Sequence, residues 1–140
     1  MTSEQQLREK LRKIYALFEG ATTPGERSAA AAAIERVKRS LAATEQTEPV
    51  TELQFSMPDR WQRRLFFALC RRYGLKPYRY KRQRYTTVML RLPRTFLERT
   101  LWPEYVELRD ALNEYLNEAT DRIIREEVFG DVAEAPERPD

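Results

Sequence analysis

Histidine is absent from this sequence, and that gap removes the commonest general base and the commonest metal ligand. Ser-His-Asp and Cys-His nucleophile systems are excluded with it, as are zinc sites that need an imidazole. Cysteine is nearly absent: Cys70 stands alone, so no internal disulfide forms, and a reducing, cytoplasmic setting is expected. No apolar run approaches the roughly 18 residues that cross a bilayer, so no membrane partner is expected. The opening residues, Met1-Thr2-Ser3-Glu4-Gln5-Gln6, lack the positive start and apolar stretch of a signal peptide. No glycine pattern of a phosphate-cradling loop is present, and no cofactor is expected.

The most informative absence is local. Between Arg60 and Arg94 there is no Asp or Glu, while twelve Lys and Arg stand there. Residues 1–59 carry eight basic and nine acidic groups, and residues 98–140 carry five basic and thirteen acidic ones. The net charge of +3 therefore conceals a cationic middle and an anionic end. The chain is otherwise globular in composition, 41% hydrophobic and 34% charged. Its 140 residues fit one domain that buries roughly two-thirds of its unfolded surface without staples.

Periodicity predicts an α+β fold that is mostly helical. Leu7, Leu11, Ile14 and Phe18 follow helical steps over residues 3–19, with Gly20 as the C-terminal stop. Thr23, Pro24 and Glu26 form a capping box with proline at the first helical position. The helix they open is expected to run to about Ala43, with Ala30, Ile34, Val37 and Leu41 on one stripe. Together these make a helical hairpin over 1–43, followed by a linker over 44–51. An α+β module over 52–129 is expected to pack with the hairpin as one domain. Leu53 and Phe55 alternate as a short strand, and a helix opened by Pro58 and Asp59 reaches about Tyr73, with Gly74 as its stop. Residues 76–92 read as a β-hairpin turning near Lys81–Arg84, which gives a β-α-β-β-α order and a three-stranded sheet. Pro93 begins a helical region that Pro103 is expected to break or kink, and a long helix then runs to about Phe129. The acidic residues 130–140 read as a disordered tail.

The run Leu11-Arg12-Lys13-Ile14-Tyr15-Ala16-Leu17-Phe18-Glu19-Gly20-Ala21-Thr22-Thr23-Pro24-Gly25-Glu26-Arg27 resembles the opening of a bacterial and phage family of unknown function. The later Trp61, Leu65, Leu69 and Tyr73-Gly74 helix, two strands and long helix are similar to the C-terminal part of such proteins. The resemblance spans most of residues 7–125. It implies a helical hairpin joined to an α+β module, and it implies no activity.

Chemistry is best sought in the basic block. At 100° per residue Arg60, Arg64 and Arg71 fall within about 40° of one another, with Arg63 about 60° to one side. Leu65, Leu69 and Tyr73 point nearly opposite, and Phe67 lies with the arginines. Lys76, Arg79, Lys81, Arg82 and Arg84 continue the charge and are interleaved with Tyr78, Tyr80 and Tyr85. Arginine forks pair with phosphate oxygens, and tyrosines beside them stack on unpaired bases. A non-catalytic role with DNA or RNA as partner is the leading expectation. Charge runs are also ordinary solvated faces that keep strand edges apart. The rival reading is a protein-interaction or homodimer module whose basic middle meets its own acidic helix. Glu104, Glu107, Asp110 and Glu114 lie at helical spacing, as solvating charges do. Cys70 sits near the apolar side of its helix, as a small core residue does. The two leading readings differ in where the arginines point: to open solvent or to the carboxylates of Glu104–Glu127.

Overall fold

The computed structural model describes residues 24–139, so the expected helix over 3–19, the hairpin it would complete and the Thr23 cap lie outside the described residues. The first described helix, α1 (Pro24–Thr47), carries the run Ala29–Ala33, whose side chains favour helix. Its expected stripe faces inward: Leu41 is buried, and Ala30, Ile34 and Val37 are half-buried. The helix continues past Ala43. Thr44 and Thr47 donate their hydroxyls to the carbonyls of Ser40 and Ala43 one turn back, at 2.9 and 3.5 Å. They are thus polar residues on a helix face. Pro49 then forbids the next turn. The expected linker over 44–51 is thereby narrowed to Glu48 and Pro49, since strand β1 (Val50–Ser56) follows directly.

Strand β1 alternates strictly between exposed and half-buried positions. It pairs antiparallel with β2 (Thr87–Pro93), Leu53 opposite Leu90 and Glu52 opposite Arg91. Val88, Leu90 and Leu92 lie buried on the core side, the face that their alternation predicts. Among the described residues the sheet has two strands, which corrects the expected three. The segment between α2 (Arg60–Arg72) and β2 touches the sheet through one bridge, in which Tyr78 and Met89 exchange backbone bonds of 2.9 and 2.8 Å. An extended ladder would next use the N–H groups of Tyr80 and Thr87. Tyr80 donates instead to the Gln83 side chain at 2.8 Å, and Thr87 to the Arg84 carbonyl at 3.0 Å. Two consecutive turns thus replace the third strand by a basic loop, residues 76–86.

Helix α2 places Phe66, Leu69 and Cys70 in the core. It ends in a Schellman motif: Leu75 donates to the Cys70 carbonyl at 2.9 Å and Gly74 to that of Arg71 at 3.0 Å. Gly74 takes φ +78° there, a conformation that glycine adopts without a Cβ penalty. After β2, the turn α3 (Arg94–Phe96) passes through a π-helical turn (Leu97–Leu101) into α4 (Trp102–Ile123). Pro103 therefore does not break the helix. The N–H of Trp102 bonds to the Leu97 carbonyl five residues back, and the ladder shifts its register where proline lacks a donor. The rod ends in a second π-helical turn (Ile124–Val128). At its start, Glu48 accepts from the Thr95 N–H at 3.2 Å and from the Thr95 hydroxyl, so a carboxylate satisfies a donor left open at a helix N-terminus.

The core lies between the sheet, α2 and the first turns of α4. Phe55, Phe66, Trp102 and Tyr105 form one aromatic cluster with centroid separations of 5.2 to 6.4 Å, in the range where offset and edge contacts add to burial. Residues 130–139 carry no regular secondary structure and are almost wholly exposed.

Candidate nucleic-acid interface

The amphipathic pattern of α2 turns one side to the core and the other to solvent, and Arg60, Arg64 and Arg71 lie on the exposed side. Arg71 and Arg72 occupy the last turn, where cations complement the helix dipole. Lys76, Arg79, Lys81, Arg82 and Arg84 are all exposed along the loop. Among the described residues, none of these surface cations pairs with a carboxylate. One member of the basic block does meet the last helix: Arg72 lies 3.5 Å from Glu104, its side chain only 8% exposed. The Tyr73 hydroxyl donates to the same carboxylate at 2.6 Å, and burial followed by that bond pushes the Tyr73 phenol up.

Two of the expected contact residues are fixed by the fold. Arg63 donates through one guanidinium nitrogen to the carbonyls of Met57 and Pro58, at 2.7 and 2.8 Å, and so ties the start of α2 to the preceding loop. Arg79 donates to the Gln83 carbonyl at 2.9 Å and lies 4.2 Å over the Tyr85 ring, a cation–π stack. A guanidinium carries more donors than these bonds use, so both are oriented and still able to bind.

Arg63 and Arg79 converge on one pocket of about 240 Å³, walled by Phe67, Pro77, Tyr78, Tyr85 and Thr87 as well. Phe67 is placed differently from the expectation that it sits apart from the core. It is half-buried and packs against the core cluster, while its remaining surface lines the pocket and Arg71 lies 5.9 Å from its ring. Tyr85 is 78% exposed, an aromatic ring presented to solvent and held by Arg79.

Beside the pocket, the Tyr78 and Tyr80 rings meet edge-on at 5.5 Å, and both hydroxyls donate to one oxygen of Glu52. The bond from Tyr78, then that from Tyr80, holds the Glu52 carboxyl below its ordinary value, with Arg91 assisting. The same bond to Glu52 raises the Tyr78 phenol. The carboxylate stays charged, and the loop is clamped to β1. Glu52 is not anticipated as part of the site; its one sequence signal is the alternation that puts it on the outer face of β1. Among the described residues, no group of three or more His, Cys, Asp or Glu is placed to hold a metal ion. No helix of the described residues is long and apolar enough to cross a membrane.

No family model, curated protein or solved structure matches the chain.

Proposed function

We propose that the chain is a non-catalytic nucleic-acid-binding protein, and that the exposed side of α2 together with the loop over 76–86 is its contact surface. One observation carries this reading: Arg60, Arg64, Arg71, Lys76, Lys81, Arg82 and Arg84 form an exposed cationic surface that pairs with no carboxylate among the described residues. Such charge is matched by a phosphate backbone, whose condensed counterions are released on binding. Arg63 and Arg79 add oriented guanidiniums beside aromatic rings. The test is binding of the purified protein to labelled single- and double-stranded DNA and RNA across a salt series. Affinity should fall steeply with salt, and Arg60→Glu with Arg64→Glu should lower the logarithmic salt slope by about 2, one unit per lost phosphate contact. An absence of binding to all four probes at low salt would refute the proposal.

A second reading, self-association, is favoured by the far end of the last helix. Leu112, Leu116, Ala119 and Ile123 continue the stripe of the buried Tyr105 and Leu108, yet Leu116 is 36% and Ile123 56% exposed. Sedimentation of the protein over a range of concentrations tests it directly; a monomer throughout would remove it.

A further inference from the structure

Resting on the nucleic-acid reading, we propose that the pocket between α2 and the loop takes a single unpaired base, so that the protein selects single strands over duplexes. A surface that only neutralises phosphates needs charge alone. This one contains a concavity lined by aromatic rings and guanidiniums: Phe67, Tyr78 and Tyr85 with Arg63 and Arg79. Its volume of about 240 Å³ lies below the roughly 300 Å³ at which pockets for drug-sized ligands begin, and suits one planar ring system. Bases in a duplex are stacked and their faces closed, whereas a single strand offers a face to any aromatic wall.

The walls are ordered before any ligand arrives. Arg63 is anchored by two backbone carbonyls. Arg79 is held by the Gln83 carbonyl and by the Tyr85 ring. Tyr78 is fixed by its backbone bridge to Met89 and by Glu52, and Phe67 by the core. A ligand thus meets walls whose ordering entropy is already spent in folding, which raises affinity. The surrounding cations Arg64, Arg71, Lys81 and Arg84 would carry the flanking phosphates.

The experiment compares three probes of equal length on the full chain: a thymidine oligomer, the same backbone with every base removed, and a duplex. Stacking contributes about 1–3 kcal/mol per base, so the abasic strand should bind roughly 5- to 150-fold more weakly than the thymidine strand. Tyr85→Ala, at an exposed position, should close most of that gap. Charge reversal at Arg60 and Arg64 should weaken all three probes. Equal binding of the thymidine and abasic strands would overturn the base pocket while leaving the phosphate surface standing. Binding of none of the three would remove both proposals together.

Discussion

Removing the Glu104 carboxylate should destabilise the fold far more than removing any exposed acid. Glu104 serves two partners, the Arg72 guanidinium at 3.5 Å and the Tyr73 hydroxyl at 2.6 Å. Arg72 is 8% exposed and Glu104 20%, so the pair is largely out of water. Truncating one partner of a largely buried pair ordinarily costs about 3–5 kcal/mol. Residual solvent at Glu104 argues for the lower end, about 3 kcal/mol for Glu104→Ala. With a urea dependence near 2 kcal/mol per molar, the unfolding midpoint should fall by about 1.5 M. Asp110→Ala, which removes the partner of Arg109 at a site 64% exposed, should cost less than about 0.5 kcal/mol. Urea titration followed by far-ultraviolet circular dichroism measures both. The double variant Arg72→Met with Glu104→Met should recover much of the loss, since an apolar pair leaves no buried charge. A Glu104→Ala midpoint within about 0.3 M of the parent would refute a stabilising role for the Arg72–Glu104 pair.

Three further outcomes are expected. Arg63→Ala should cost about 1–2 kcal/mol in urea titration, by loss of two charge-assisted bonds to backbone carbonyls, whereas Arg60→Ala and Arg64→Ala should stay within about 0.5 kcal/mol. Glu52→Ala should release the clamp on Tyr78 and Tyr80 and speed tryptic cleavage at Lys81, Arg82 and Arg84; unchanged cleavage kinetics would count against the clamp. Because the folded Glu52 value is lowered, its stabilising contribution is present above the ordinary value of 4.5 and is lost as pH falls through the folded one. Burial pushes the Cys70 thiol from 9.0 up to about 12. Its contribution is therefore complete below pH 9 and lost as pH rises towards 12. The native thiol should resist a disulfide reagent at pH 8 until the chain unfolds, and rapid labelling would refute its placement in the core.

The elements with strong period were legible in the sequence. Alternation set the faces of β2, with Val88, Leu90 and Leu92 buried, and the Gly74 stop marked the end of α2 within a residue. The third strand was not legible, because its failure depends on where two N–H groups go. Gln83 captures that of Tyr80, and a turn captures that of Thr87. Pro103 marked an irregularity in the helix without giving its form. Proline removes one donor from an α ladder, but a π-helical turn changes which carbonyl that donor would have served. In the site, charge was readable and convergence was not. A helical wheel places Phe67 with the arginines, yet one ring has two faces, and only packing shows that it closes both core and pocket.

The distribution of charge supports a surface kept for a partner. Like charges held close repel one another, and a chain selected only for stability would draw its acidic helix over the basic block. The residues for that arrangement are present, since residues 98–140 carry thirteen acidic groups. Arg72 and Glu104 show that such an ion pair fits between α2 and α4. Yet the loop cations turn to solvent, and Arg79 is oriented by a carbonyl and a tyrosine ring, neither of which cancels its charge. Glu52, the carboxylate nearest in function to the loop, is bound by two tyrosine hydroxyls instead of a guanidinium. The loop is thus secured by neutral donors, which hold its shape and leave its positive charge available. That combination, fixed geometry with uncancelled charge, is what an anionic polymer requires of a binding surface, because order reduces the entropic cost of association and free cations release counterions from its phosphates.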